Sequence, residues 1–148
     1  VYNSKPVPTG FNEAASAALY VMTVSGSRRE VDAEEVFQVV EIINATAHHE
    51  KDQILLSEAA QYMLDLDLSS FALPWTLYRL KDLRVEEEMI SIYGEELFRK
   101  GRVLFLERML TRDRLFYIHD GWEDLARDNL ERRVAMLKET SKPLALAG

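Results

Sequence analysis

The chain has 148 residues, of which 47% are hydrophobic and 29% charged, with a formal net charge of −7. These proportions are ordinary for one globular domain and exclude a collagen, a low-complexity tail and an extended linker. Cysteine is absent, which excludes disulfides, thiolate metal sites and cysteine nucleophiles and fits a reducing intracellular compartment.

Two extended arms are predicted to flank a single helical domain over residues 12–140. Residues 1–11 contain two prolines, which disfavour helix at and before their own positions. Residues 141–148 are interpreted as a matching tail. Apolar side chains on such arms are often anchors in the groove of a partner protein. The side chains predicted to bind a partner are Tyr2, Val7, Phe11, Leu144 and Leu146.

Three helices are predicted in the first half of the chain, over residues 12–24, 32–48 and 57–68. Each begins at a residue whose side chain can cap a helix: Asn12, Asp32 and Ser57. Glu35 completes a capping box with Asp32. The spacing of apolar residues predicts which side chains face the core. They are Ala15, Ala18, Leu19 and Met22 in the first helix, and Val36, Val39, Val40, Ile43 and Ala47 in the second.

Two further helices are predicted over residues 74–83 and 86–100. Pro74 is favoured in the first turn of the helix over residues 74–83. Gly101 is typical of a residue that ends a helix and is predicted to end the one over residues 86–100. The apolar residues at helical spacing are again predicted to face inward. They are Leu77, Leu80, Leu83, Met89, Ile90, Tyr93 and Leu97.

A β-hairpin is predicted next, with residues 103–109 paired to 114–119 around a turn at 111–113, because both runs are rich in strand formers. A helix continuing through Leu110 is the competing interpretation. Asp120 then caps a last helix to about residue 140. Its predicted apolar positions are Trp122, Leu125, Ala126, Leu130, Val134 and Leu137. The predicted fold is therefore mainly α: a compact domain of five to six helices with one small β-hairpin and two arms.

Residues 76–121 resemble the multiple-antibiotic-resistance regulator type of the winged helix-turn-helix superfamily. Residues 76–83 resemble the first helix of that motif, and 86–100 would be its recognition helix. The stretch around Gly101 resembles the exit into the wing, and 112–118 resembles the returning wing strand. The resemblance implies a winged-helix unit and a nucleic-acid-binding transcriptional regulator.

The recognition helix departs from that pattern because it opens with three glutamates, Glu86–Glu88. Affinity for DNA comes largely from neutralising phosphates, so these carboxylates oppose it. Residues 99–114 carry six Lys/Arg and two Asp/Glu, a local charge of 6 − 2 = +4. A nucleic-acid contact is therefore predicted to be made by the arginines of the wing: Arg102, Arg108, Arg112 and Arg114.

Histidines next to acidic residues leave an enzymatic alternative open. His119-Asp120 resembles the doublet of helical metal-dependent phosphohydrolases, with His48 or His49 and Asp128 as conceivable partners. Asp120 already has a capping role, and adjacent helical residues such as His48 and His49 point about 100° apart. We therefore predict no metal, no cofactor and no catalytic residues.

The leading hypothesis is a non-enzymatic subunit that binds other protein chains in a homo- or hetero-oligomer, its arms docking on neighbouring chains. It would act in the cytoplasm, another reducing compartment or a large particle assembled there. A winged-helix regulator that binds DNA is the alternative, and a metal-dependent hydrolase is the second. No stretch approaches the ~18 apolar residues that cross a membrane, so no membrane partner is predicted.

Overall fold

The computed structural model describes residues 8–28, 30–49 and 56–139, without the side chain of His48. The prediction of a mainly helical, compact fold is confirmed over these residues. The α-helices are α1 Phe11–Gly26, α2 Ala33–Ala45, α3 Glu58–Leu68, α4 Trp75–Tyr93, α5 Glu95–Leu110 and α6 Glu123–Glu139. Short 3₁₀ helices cover Thr46–His48, Ser69–Ala72 and Asp120–Trp122. No described helix is both long and apolar enough to cross a membrane.

Two predicted helix caps are confirmed. The Asp32 side chain accepts a hydrogen bond from the backbone N–H of Glu34 at the start of α2. The Ser57 hydroxyl accepts one from the N–H of Ala60 at the start of α3. Each bond satisfies a backbone donor that has no partner inside the helix.

The predicted break at Gly101 is wrong, because that glycine lies inside α5. The chain breaks at Gly94 instead, where the backbone has φ 82° and ψ 158°. A positive φ is costly for residues with a Cβ and free of that cost for glycine. Gly94 therefore separates α4 from α5 inside the segment that the sequence predicts as one recognition helix.

The predicted β-hairpin is also wrong, because no strand occurs among residues 103–119, all of which are described. Residues 103–110 belong to α5, where Leu106 and Met109 are fully buried at helical spacing. That burial prevails over the strand propensity of the run. The predicted wing is therefore not formed.

Residues 115–119 form a bent loop that pairs with no strand, and carboxylates satisfy its backbone donors. Glu123 accepts from the N–H groups of Leu115 and Phe116 at 2.9–3.3 Å. Asp65 accepts from those of the next three residues, Tyr117, Ile118 and His119, at 2.7–2.9 Å. These bonds attach the loop to α3 and α6.

The main core lies between α4, α5, α6 and the 3₁₀ helix Ser69–Ala72. Its buried members are Leu68, Phe71, Tyr78, Leu106, Met109, Leu115, Phe116, Ala126, Leu130, Val134 and Leu137. The inward positions predicted for α6 are thus mostly confirmed, although Leu125 is exposed. A smaller cluster of Ala45, Ala60 and Leu64 joins α2 to α3.

Most of the predicted arms cannot be compared with the structure. Residues 1–7 and 140–148, with Tyr2, Val7, Leu144 and Leu146, lie outside the described residues. Pro8, Thr9 and Gly10 form a turn in which the N–H of Phe11 donates to the carbonyl of Pro8. α1 begins at Phe11 with Gly10 as its N-cap, so Asn12, the predicted cap, lies inside the helix.

Candidate interaction surfaces

The outer face of α1 is apolar and exposed, contrary to the prediction that its stripe faces the core. Phe11, Ala15, Ala18 and Met22 follow one another at spacings of four, three and four residues, so they share one side of the helix. Phe11 is 47% and Met22 72% exposed. Leu19, on the flank of this face, is 53% exposed.

The opposite side of α1 is the one that packs inward, chiefly against α2. Ala17 is the residue of α1 that is buried there. Glu13 is the only charged residue among the sixteen of α1, and its uncharged polar residues are Asn12, Ser16, Thr23 and Ser25. About half of the residues of α1 are exposed.

The outer face of α4 likewise carries leucines that are predicted to be buried. Leu77, Leu80 and Leu83 are 50%, 54% and 41% exposed. The residues of α4 that are buried are instead Tyr78 and Asp82.

A charged cluster explains why the side of α4 that carries Tyr78 and Asp82 faces inward. Three arginines contact the buried Asp82 carboxylate. The guanidinium of Arg79 donates to it, Arg102 donates at 2.7 Å, and Nε of Arg133 lies 2.6 Å away. Arg133 also donates to Glu86 at 2.6 Å. Because a buried charge without partners is very costly, the cluster keeps α4, α5 and α6 in one relative orientation.

Tyr78 lies beside the same cluster and stays neutral. Its burial, reinforced by the negative charge of Asp82, raises the pKa of the Tyr78 phenol to about 12. A neutral phenol is a weak nucleophile and a weak base near neutral pH. The cluster is therefore interpreted as structural.

A groove of about 370 Å³ runs between α4 and α5 beyond this cluster. Its lining is mostly apolar: Val85, Met89, Tyr93, Leu97, Phe98, Gly101, Arg102 and Phe105. Leu97, predicted to face the core, is 65% exposed at its edge, and Tyr93 is exposed as well. Met89 and Ile90 are half-buried.

The four arginines predicted to contact nucleic acid differ in their surroundings. Arg102 is paired with Asp82, and Arg112 is buried and donates to the backbone carbonyl of His49 at 2.8 Å. Arg114 is paired with Asp120. Arg108 is exposed. Three of the four cations are thus engaged within the fold, which leaves less charge for phosphates.

Two histidines of the enzymatic alternative, His49 and His119, lie against different carboxylates. Nε2 of His49 lies 2.6 Å from Asp67, and Nδ1 of His119 lies 3.0 Å from Asp65. The ring of His119 stacks on Trp122 with centroids 4.1 Å apart. No group of three potential metal ligands occurs among the described residues, which leave out Glu50 and the side chain of His48.

Asp65 is held in its charged form by the loop that it supports. Burial by itself raises the pKa of the Asp65 carboxyl, but the backbone donors of residues 117–119 and the His119 imidazole lower it by more. The net result is a pKa below the usual value. A carboxylate kept charged by three backbone donors is well suited to fixing a loop.

In comparisons with known proteins, no family model, curated protein or solved structure matches the chain.

Proposed function

We propose that the protein is a non-enzymatic subunit that binds other protein chains through its exposed apolar helix faces. The observation that carries the proposal is the pair of leucine- and methionine-bearing faces on α1 and α4, each several residues long and turned to solvent. Contiguous apolar surface on a folded domain is typical of an interaction site, whereas isolated exposed leucines are ordinary.

The α4 face supports the proposal because its orientation is fixed by other residues. The Asp82 cluster prevents α4 from rotating Leu80 into the core without exposing or unpairing buried charges. The leucines therefore stay at the surface in the folded chain. Burying one large apolar side chain contributes ~1.5–3 kcal/mol, so a partner that covers three of them gains substantially.

The arms predicted to dock on neighbouring chains remain part of the proposal. Phe11 links the N-terminal arm to the α1 face, because it is at once the last residue of the predicted arm and the first of that helix. A partner that covers α1 would therefore also meet the chain that precedes it.

The test is isolation of the tagged protein from its native source, followed by chemical cross-linking and mass spectrometry. We expect a stoichiometric protein partner whose cross-links surround Leu80, and its loss from the Leu80→Glu variant. Ser91→Glu is the matched control, since it adds the same charge to an exposed position of α4 without removing an apolar side chain. Recovery of the wild-type chain only as a monomer, at every concentration, would overturn the proposal.

A further inference from the structure

The first two helices, called here the α1–α2 pair, bury no side chain larger than alanine. Ala17 is the buried residue of α1, and Ala45 is that of α2. Their larger apolar side chains are half-buried or exposed. The last helix, α6, instead buries Leu130, Val134 and Leu137 together with three further residues. Because the free energy of burial grows with the apolar area removed from water, the α1–α2 pair gains much less from full burial than α6 does.

Two clefts lie between the α1–α2 pair and α3. One, of about 320 Å³, is lined by Asn12 and Ser16 of α1, Ile42 of α2 and Met63 of α3. The other, of about 500 Å³, is lined by Ile42 and by α3 residues that include Tyr62 and Met63. Side chains that face a cleft lack the contacts that a close-packed interior supplies. The α1–α2 pair is therefore loosely packed on α3.

The position of α1 in the fold also leaves a polar atom without a partner. The side-chain oxygen of Asn12 is buried and accepts no hydrogen bond among the described residues. A buried acceptor without a partner costs free energy, and the cost disappears when the atom reaches water. Asn12 therefore lowers the free energy that is needed to release α1.

Buried charges join the other helices, and these charges belong to residues outside the α1–α2 pair. The cluster around Asp82 joins α4, α5 and α6, and Asp65 joins α3 to the loop over residues 115–119. Both carboxylates are fully buried or nearly so. The carboxylate of Glu41 in α2 accepts from the backbone N–H of Ser57 at 3.0 Å, but Glu41 is only half-buried. Opening the α1–α2 pair therefore leaves both buried carboxylates with their partners.

We infer that the α1–α2 pair opens as one unit while α3, α4, α5 and α6 stay folded. Proteins open locally in cooperative units, and the units with few buried apolar contacts open most easily. The two helices open together because α1 packs chiefly against α2, and helices of sixteen and thirteen residues are marginal in water on their own. The inference goes beyond the proposed function and needs no partner.

Opening changes which apolar surface the protein presents. In the closed form the outer face of α1 is exposed, as described above. In the open form Ala60 and Leu64 of α3 lose the cover that α2 provides in the small cluster with Ala45. They then add to Tyr62 and Met63, which are exposed on α3 already. The two forms therefore offer different surfaces to other molecules.

Hydrogen exchange of the intact protein, followed by mass spectrometry, measures the opening. Amides of α1 and α2 should show the same protection as each other, and they should exchange roughly 100-fold or more faster than those of α6. Equal protection of all three helices would overturn the inference.

Leu130→Ala distinguishes the opening of a unit from global unfolding. Leu130 is fully buried in α6, so its truncation weakens the core equally whether the α1–α2 pair is closed or open. Amides of α6 should exchange at least about tenfold faster, whereas those of α1 and α2 should change by less than about twofold. A parallel acceleration in all three helices would show that only global unfolding exposes them and would overturn the inference. Val134→Ala, a smaller truncation in the same helix, gives the same comparison if Leu130→Ala does not fold.

A matched pair of variants in α1 tests whether the two helices open together. Ala17→Glu places a charge in the contact with α2 and should accelerate exchange in α1 and α2 alike, by about tenfold or more. Ala18→Glu adds the same charge at the neighbouring exposed position and should leave both within about twofold. Acceleration confined to α1 would show that α1 opens alone and would overturn the inference. None of these outcomes alters the cross-linking result at Leu80, so the proposed function stands or fails separately.

Discussion

Asp82 is the residue on which the orientation of α4 depends most. Replacing it with asparagine removes one negative charge and leaves three arginines around a neutral amide. Removing one partner of a buried ion pair typically costs about 3–5 kcal/mol. We expect a loss of that size in the free energy of unfolding, measured by urea denaturation. The exposed Asp128→Asn on α6 is the control, and an equally small loss for both variants would contradict the structural role of Asp82.

Asp65 gives the fold a dependence on pH whose direction follows from its lowered pKa. Because the carboxyl is more acidic in the folded chain than in the unfolded one, it stabilises the fold above the ordinary value of 3.8. That contribution is lost as the pH falls through the lower, folded value. Urea denaturation of the wild type and of Asp65→Asn should therefore differ most near neutral pH and converge in acid. A constant difference across this range would refute the assignment.

The caps and these charged residues differ in how far they could be predicted from sequence. Asp32 and Ser57 cap donors two and three residues away, so a short window of sequence contains the whole interaction. Asp82 meets Arg102 twenty residues later, and Asp65 meets Tyr117 fifty-two residues later. No local sequence pattern contains such pairs. A signal was nevertheless present, because Asp82 lies four residues after Tyr78 and therefore on the same side of α4.

The direction of the apolar faces is the main error at the scale of helices. Periodicity identifies α1 and α4 as helices, but each has apolar residues on more than one side. The sequence alone favours Leu77, Leu80 and Leu83 as the buried side of α4, whereas its cluster of charges turns Tyr78 and Asp82 inward. In α6, where the apolar residues occupy one side, the predicted positions are mostly buried. The face that packs inward is ambiguous in such helices, because apolar residues on two sides of a helix cannot all face one core.

The two glycines near the α4–α5 junction provide a test at the same scale. Gly94→Ala should destabilise the fold by about 1–3 kcal/mol, because residues with a Cβ rarely adopt a backbone with φ 82° and ψ 158°. Gly101→Ala should stabilise it by about 0.5–1 kcal/mol, since alanine is favoured inside a helix. An added Cβ meets no atom within 4 Å at either position, so the comparison isolates the backbone. Thermal or urea unfolding measures both changes. If Gly94→Ala stabilised the fold and Gly101→Ala destabilised it, the helix break would be at Gly101 instead.

Charge is distributed unequally over the whole molecule, and this bears on how it associates. Residues 1–74 hold four Lys/Arg and eleven Asp/Glu, 4 − 11 = −7, whereas residues 75–148 hold fourteen of each. The exposed apolar face of α1 belongs to the acidic half, and the exposed leucines of α4 belong to the neutral half. A partner that covers α1 therefore meets the acidic half of the chain, whereas a partner that covers α4 meets the neutral half.

The response of association to salt follows from this distribution. Raising the ionic strength shortens the screening length to ~10 Å at 0.1 M, so contacts between charged groups weaken while a contact through the apolar face of α1 is unaffected. We expect the affinity of a protein partner for that face to persist as sodium chloride is raised, measured by sedimentation at fixed protein concentration. Nucleic-acid binding by Arg102, Arg108, Arg112 and Arg114 would weaken instead, with log K falling by ~0.9 per neutralised phosphate for each tenfold rise in salt. A protein complex that dissociates as salt rises would show that ion pairs, rather than the apolar face of α1, hold it together.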